Sequence, residues 1–136
     1  MSTESPKTVL TRYFALLDER DVRALVAMFA PDGIMITPGG TGGVPLVGRR
    51  ALTEFFTTIG PATATHEVTR AAETSTVSLA EGISRPLAAG PGVYFLASAQ
   101  LDGTGQITRW TSLGWPQLTD TQERALVSGT TEGDLR

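Results

Sequence analysis

The sequence predicts an α+β domain in which three helices pack on a mainly antiparallel sheet. Apolar residues recur at helical spacing in three segments before Pro61. From Thr65 onward the pattern changes to the alternation that is typical of strands, with Gly-rich turn signals between them. Helices followed by a run of strands indicate an α+β architecture, and 136 residues suit one domain.

Caps and helix breakers set the bounds of the three predicted helices. The first is predicted from about Pro6 to Glu19, with Ser5 as its N-cap. The second is predicted to begin at its cap, Asp21, and to include Phe29. The third ends at Gly60-Pro61 and carries these apolar residues at helical spacing: Leu52, Phe55, Phe56 and Ile59.

Strands are predicted at Ile34–Thr37 and near residues 66–76, 77–88, 93–101 and 106–115. The glycine-rich segment 39–45 lacks a following Gly-Lys-Ser/Thr and does not have the dinucleotide-binding spacing, so we predict a surface loop or pocket lid. We assign residues 1–118 to the domain. Residues 119–136 form a predicted polar tail with one short helix over Gln122–Val127.

Composition excludes several classes of function. The net charge is −3 and the basic residues are scattered, which argues against nucleic-acid binding. The chain has one histidine and no cysteine, so the usual zinc sites are excluded and no metal is expected. No stretch approaches the ~20 apolar residues of a membrane span, and no signal peptide is evident. We therefore expect a cytoplasmic protein that does not bind membranes.

Specific residues add to this interpretation. The first half of the chain resembles bacterial ketosteroid isomerases through Thr11-Arg12-Tyr13, Asp21-Val22, Met28-Phe29-Ala30, Asp32, Pro38, Gly48-Arg49 and Phe55-Phe56. Leu101–Ile107 resembles the final hairpin of that family. The wider group is the nuclear transport factor 2-like superfamily, which includes the SnoaL-like polyketide cyclases. The resemblance covers about residues 8–115 and implies a strongly curved sheet, a cone-shaped half-barrel, an apolar pocket and a homodimer.

The resemblance also implies where an isomerase would keep its catalytic groups. The oxyanion-hole tyrosine falls on Tyr13, whereas the general base falls on Thr37 and the second acid on Ala97. Phe56 stands where a second tyrosine would hydrogen-bond the first. Threonine is no base near neutral pH and alanine donates no hydrogen bond. We therefore predict that the protein is not a functional ketosteroid isomerase.

Three residues are candidates for catalysis. Tyr13 is either a core tyrosine or a donor to a substrate oxygen. Glu81 shares one face of a predicted strand with three aliphatic residues, so it is either a desolvated acid in the pocket or a solvated residue displaced by a bulge near Gly82. His66 is either a proton carrier or a strand-edge histidine in solvent.

The same resemblance places a set of mainly apolar side chains in the pocket: Leu17, Met35, Thr37, Phe55, Phe95, Ala97 and Trp110. We predict a SnoaL-like cyclase or isomerase of specialised metabolism that needs no cofactor and acts on a hydrophobic, polyketide-derived molecule. It would fold its substrate in the pocket and polarise it by hydrogen bonding. Two alternatives stay open: a non-catalytic protein that binds a hydrophobic small molecule, and an epoxide hydrolase or dehydratase on the same fold.

Overall fold

A computed structural model describes residues 7–37 and 42–116. The predicted cap at Ser5, part of the glycine-rich loop and the predicted tail with its helix over Gln122–Val127 lie outside these residues. The elements follow in chain order: α1 Val9–Glu19, α2 Val22–Ala27, β1 Phe29–Ile36, β2 Leu46–Val47, α3 Arg49–Thr58, β3 Ala64–Glu73, β4 Val77–Pro86, β5 Val93–Leu101 and β6 Ile107–Pro116.

Polar side chains cap the first two helices. Helix α1 begins at Val9 rather than at the predicted Pro6, because Thr8 is its N-cap and accepts a hydrogen bond from the backbone N–H of Thr11. Asp21 caps α2 as predicted, accepting from the backbone N–H of Ala24 at 3.1 Å. Each cap satisfies a backbone donor that the first turn of a helix leaves unpaired.

The prediction that α2 extends to Phe29 is wrong, because Phe29 already begins β1 and pairs with Ile107 of β6. The register between these two strands shifts between Phe29 and Ile34. Gly33 lies within this irregular stretch, where a Cβ atom would approach the carbonyl oxygen of Ile107 to 2.9 Å. Only glycine therefore permits the two strands to lie this close at that point.

In the described residues, six strands form one curved, open sheet in the order β2-β1-β6-β5-β4-β3. The β1–β6 pair is parallel and every other pair is antiparallel, so the sheet is mainly antiparallel as predicted. The two-residue strand β2 was not predicted. It pairs with β1 at one edge, while the long β3–β4–β5–β6 meander supplies most of the curved surface.

The hydrophobic core lies between the helices and the inner face of the sheet. All three helices contribute buried side chains to it, and so do β1, β4, β5 and β6: Leu10, Tyr13, Phe14, Leu25, Val26, Leu52, Phe56, Phe29, Met35, Ala80, Phe95, Ala97, Ala99, Ile107 and Trp110. Burial of these apolar surfaces stabilises the helices on the sheet. Among the described residues, no helix has the length and apolar character needed to cross a membrane.

Candidate functional site

A cavity of about 580 Å³ opens between helices α1 and α3 and the inner face of the sheet. Its wall is mostly apolar and aromatic, with a few polar side chains: Tyr13, Phe14, Leu17, Arg20, Met35, Thr37, Phe55, Phe56, Ile59, His66, Ser84, Val93, Phe95, Trp110, Ser112, Leu113 and Gly114. An apolar concavity of this size with a small number of polar groups is typical of a small-molecule site.

The structure brings His66 into this cavity together with an acid that the sequence did not single out. Nδ1 of His66 lies 2.6 Å from Oδ1 of Asp18, and the backbone N–H of His66 donates to Oδ2 of the same carboxylate at 2.8 Å. An ionised carboxylate only accepts hydrogen bonds, so Nδ1 carries the proton. The unprotonated nitrogen is then Nε2, which can act as a base.

Aromatic side chains hold the His66 ring in place. The imidazole stacks on Phe14 at a centroid distance of 5.2 Å and meets the ring of Phe95 edge-on at 5.8 Å. Its side chain is only 19% exposed. Within the described part of the chain, Nε2 has no hydrogen-bond partner, and it is not among the fully buried unpaired atoms. It is therefore accessible to a molecule in the cavity.

Tyr13 reaches the cavity from α1. Only 2% of the Tyr13 surface is exposed, and its hydroxyl makes no hydrogen bond within residues 7–37 and 42–116. The hydroxyl is also not a fully buried unpaired atom, so it opens to the cavity. Burial raises the pKa of this phenol well above its ordinary value, and the positive charge of Arg20 opposes the rise. The phenol consequently stays protonated near neutral pH and is a hydrogen-bond donor.

Trp110 packs against this phenol, with the two ring centroids 5.0 Å apart. Its indole Nε1 is fully buried without a hydrogen-bond partner, and no other side-chain polar atom of the described residues is in that state. Such a donor carries a desolvation penalty of about 1–3 kcal/mol. The inner wall thus contains one reachable donor and one shielded donor side by side.

Glu81 does not face the cavity, which corrects its predicted orientation. Period two correctly groups Val77, Leu79, Glu81 and Ile83 on one face of β4, but that face is the outer one. Glu81 lies in a separate groove on the outer surface of the sheet, and its Oε1 is 3.2 Å from Nε of Arg70. The side chains directed inward are small, so the more hydrophobic face of this strand is the one turned away from the core.

The inner face of β4 and β5 carries small residues near the cavity. Gly82 lies opposite Phe95, and a Cβ atom there would fall 2.7 Å from Cζ of Phe95 and 2.1 Å from the carbonyl oxygen of Glu67. The missing side chain makes room for the Phe95 ring beside the cavity. Ala97, predicted to line the pocket, lies on the same inner face but is buried in the core beside Ala80, outside the cavity wall.

The remaining six predicted lining residues all lie in the cavity wall: Leu17, Met35, Thr37, Phe55, Phe95 and Trp110. Sequence reasoning missed two charged residues of the site, Asp18 and Arg20. Asp18 follows Phe14 by four positions and therefore lies on the same side of α1, toward β3. This spacing was the available signal for Asp18. Arg20 directly follows α1 in a left-handed conformation, so helical spacing does not place its side chain.

No group of three or more histidine, aspartate or glutamate side chains in the described residues could hold a metal ion. The polar groups in or at the cavity wall are instead one imidazole with its carboxylate, one phenol, one guanidinium and a few hydroxyls. This set can remove a proton from a bound molecule, donate a hydrogen bond to it and attract a negative charge.

Comparison with known proteins places this site in a family. Residues 10–110 match the model of the SnoaL-like domain. No curated protein sequence matches the chain. An NTF2-like protein of unknown function from Burkholderia xenovorans is similar in structure, with 17% identity, 87% of this chain and 88% of that chain covered, and a TM-score of 0.69.

Two further solved structures share the fold. The epoxide hydrolase/cyclase-like enzyme SalBIII, described in connection with pyran ring formation in the polyether salinomycin, is 20% identical, with 79% of this chain and 88% of that chain covered and a TM-score of 0.63. A hypothetical protein with a ketosteroid isomerase-like fold from Catenulispora acidiphila, in complex with trimethylamine, is 16% identical, with 80% and 86% covered and a TM-score of 0.66. The chain therefore belongs to the SnoaL-like domain family, and it shares its fold with an NTF2-like protein.

Proposed function

We propose that the protein is a cyclase or isomerase that acts, without a cofactor, on a hydrophobic small molecule of polyketide origin. The observation that carries the proposal is the 2.6 Å contact between Asp18 and His66 at the wall of an apolar cavity that Tyr13 also lines. A general base needs a correctly oriented nitrogen that a substrate can reach, and here the carboxylate fixes that orientation.

The chemistry follows from these three groups. Nε2 of His66 takes a proton from a carbon next to a substrate carbonyl, and the carbonyl oxygen gains negative charge. The Tyr13 hydroxyl donates a hydrogen bond to that oxygen, which stabilises the charge in a cavity of low polarity. The carboxylate of Asp18 stabilises the imidazolium that forms.

The imidazolium then has two ways to return its proton. In an isomerase the substrate is a β,γ-unsaturated ketone, so proton removal gives a dienolate. The imidazolium protonates the γ-carbon of that dienolate, and the carbon–carbon double bond moves into conjugation with the carbonyl. In a cyclase the enolate carbon attacks a second carbonyl of the substrate, a carbon–carbon bond forms, and the imidazolium protonates the resulting alkoxide. The apolar wall supports either outcome because it holds a flexible chain in a folded conformation. The structural similarity to the epoxide hydrolase/cyclase-like enzyme SalBIII supports a cyclase.

The base can be tested before the natural substrate is known. The probe is 5-nitrobenzisoxazole, whose ring opens to a coloured phenolate when a base removes its carbon-bound proton. We expect the wild type to accelerate ring opening over buffer, and His66→Gln to lose about a hundredfold or more. Glu81→Gln is the control: it removes an acid on the outer face of the sheet, so it should leave the rate within about twofold.

Two results would overturn the proposal. A His66→Gln variant that folds and keeps the wild-type rate would mean that this imidazole is not the base. A wild type that binds the probe without accelerating its reaction would favour the non-catalytic binding protein, because that protein needs the cavity and not the imidazole–carboxylate pair.

A further inference from the structure

Arg20 has an unusual backbone conformation. Its φ and ψ are 56° and 36°, and it is the only residue other than glycine with a positive φ in the described part of the chain. This left-handed position follows the C-terminus of α1, where glycine or asparagine is the usual residue. An arginine at this position has a conformational cost that glycine would not have.

The guanidinium of Arg20 is held at the cavity by two neutral acceptors. Nε donates to the carbonyl oxygen of Gly60 at 2.9 Å, and Nη1 donates to that of Leu17 at 3.0 Å. These carbonyls lie near the C-terminal ends of α3 and α1, where a cation is favoured. No carboxylate of the described residues lies within 4.0 Å of it, so no acid neutralises its charge.

This charge lies close to the donor in the cavity. Arg20 directly follows α1, which carries Tyr13, and both residues line the cavity, whose remaining wall is largely apolar. The guanidinium also lowers the pKa of the buried phenol against the larger effect of burial, so its field reaches the hydroxyl. Two of its five N–H groups are engaged, which leaves three N–H donors for an anionic group.

We propose that Arg20 recognises an anionic group, so the substrate is a hydrophobic molecule that carries a carboxylate or an acidic enol. The guanidinium binds the anionic end, and the apolar body packs among Met35, Phe55 and Phe95. This inference rests on the proposed function, since it takes the same cavity as the binding site. It adds the chemical class of the substrate, because a purely apolar molecule would leave the charge of Arg20 without a counterion.

The test compares two probes of the same shape. Isothermal titration calorimetry measures the binding of 2-naphthoate and of its neutral analogue 2-acetonaphthone. We expect the wild type to bind the carboxylate at least about tenfold more tightly. An increase of sodium chloride from 50 to 500 mM should weaken the binding of 2-naphthoate but not that of 2-acetonaphthone. Equal affinity for both probes, or no binding of the carboxylate, would overturn the inference.

Variants of Arg20 test whether this side chain causes the preference for 2-naphthoate over 2-acetonaphthone. Arg20→Asn suits the left-handed backbone and removes the charge, so the two probes should bind equally; a preference that survives in this variant contradicts the inference. Arg20→Lys keeps a charge and should keep part of the preference, and it serves as the second test if Arg20→Asn does not fold. Arg109→Gln removes an exposed arginine on β6 and should leave the preference unchanged.

Failure of this inference is distinguishable from failure of the proposed function. His66→Gln removes the base but not the guanidinium, so it should keep the preference for 2-naphthoate while it loses the ring opening of 5-nitrobenzisoxazole. A wild type that shows no preference for 2-naphthoate but still opens the ring of 5-nitrobenzisoxazole would support the proposed function. It would contradict the proposal that the substrate is anionic.

Discussion

Replacement of Asp18 by asparagine separates the catalytic and structural roles of the carboxylate. Its two oxygens accept from Nδ1 and from the backbone N–H of His66, at 2.6 and 2.8 Å. Asparagine has nearly the same shape but only one accepting oxygen. If that oxygen keeps the backbone N–H, the amide NH₂ faces Nδ1 and donates to it. The imidazole must then carry its proton on Nε2, the nitrogen that should be the base.

The expected magnitudes follow from these contacts. General base catalysis contributes about 10²–10⁴-fold, and a wrong imidazole tautomer in a Ser-His-Asp triad costs about 10⁴-fold. We therefore expect turnover to fall by about 10²–10⁴-fold. The effect on folding is smaller, because both hydrogen bonds can still form with a neutral partner. A charged hydrogen bond contributes about 1.5–3 kcal/mol and a neutral one about 0.5–1.5. Each of the two bonds then weakens by about 1–1.5 kcal/mol, so we expect the free energy of unfolding to fall by about 2–3 kcal/mol.

Two measurements check this prediction. Urea denaturation gives the change in stability, and ring opening of 5-nitrobenzisoxazole gives the change in rate. The tautomer itself is readable by ¹⁵N NMR, because His66 is the only histidine and gives one pair of imidazole signals. An Asp18→Asn variant that folds, shows a proton on Nε2 and still turns over within threefold of the wild type would refute the reasoning.

Three further outcomes follow from burial, packing and exposure. Because burial raises the pKa of Tyr13 above its ordinary value near 10, the unfolded chain ionises first as pH rises. The contribution of Tyr13 to stability should be fully present below pH ~10 and then fall by up to about 1.4 kcal/mol per pH unit. Urea denaturation should show a shallower fall for Tyr13→Phe than for the wild type. Gly82→Ala places a Cβ atom 2.1 Å from the carbonyl oxygen of Glu67, so it should destabilise the fold by about 2 kcal/mol or more in a thermal unfolding assay. The control Gly103→Ala, whose new Cβ atom would have no atom within 4 Å, should change stability little in the same assay. We propose a homodimer through the outer face of the sheet, where Leu79, Leu96 and Leu113 are exposed. Light scattering should give twice the monomer mass of 14.4 kDa for the wild type and for the control Leu87→Glu, and the monomer mass for Leu96→Glu. A monomeric wild type would refute the proposal.

The elements of the fold could be predicted because they depend on local patterns. The apolar spacing around Tyr13 and Phe14 defines one face of α1, and Asp21 marks the start of α2. The end of α2 could not be predicted, because Val26 and Phe29 keep helical spacing. Pairing of Phe29 with β6 overrides that pattern, and the partner strand lies far along the chain.

The candidate site was predicted less completely for two physical reasons. Alternation shows which residues of β4 share a face but not which face is inward, and here the inner positions Ser78, Ala80 and Gly82 carry little hydrophobic signal. Asp18 was missed because its partner is 48 positions away, and only the packing of α1 on β3 brings them together. The apolar cavity lining depends on side-chain type and could therefore be placed more readily.

The two tryptophans of β6 lie on opposite faces of the sheet. Trp110 is 4% exposed in the cavity wall, whereas Trp115 is 43% exposed and packs near Tyr94 on the outer face. The molecule thus contains two natural fluorophores in different surroundings. In Trp115→Phe the remaining emission comes from the cavity wall and reports on what enters the cavity. In Trp110→Phe it comes from the outer face and would report on the proposed contact between subunits. Ligand entry and the proposed assembly can therefore be followed separately, without an attached dye.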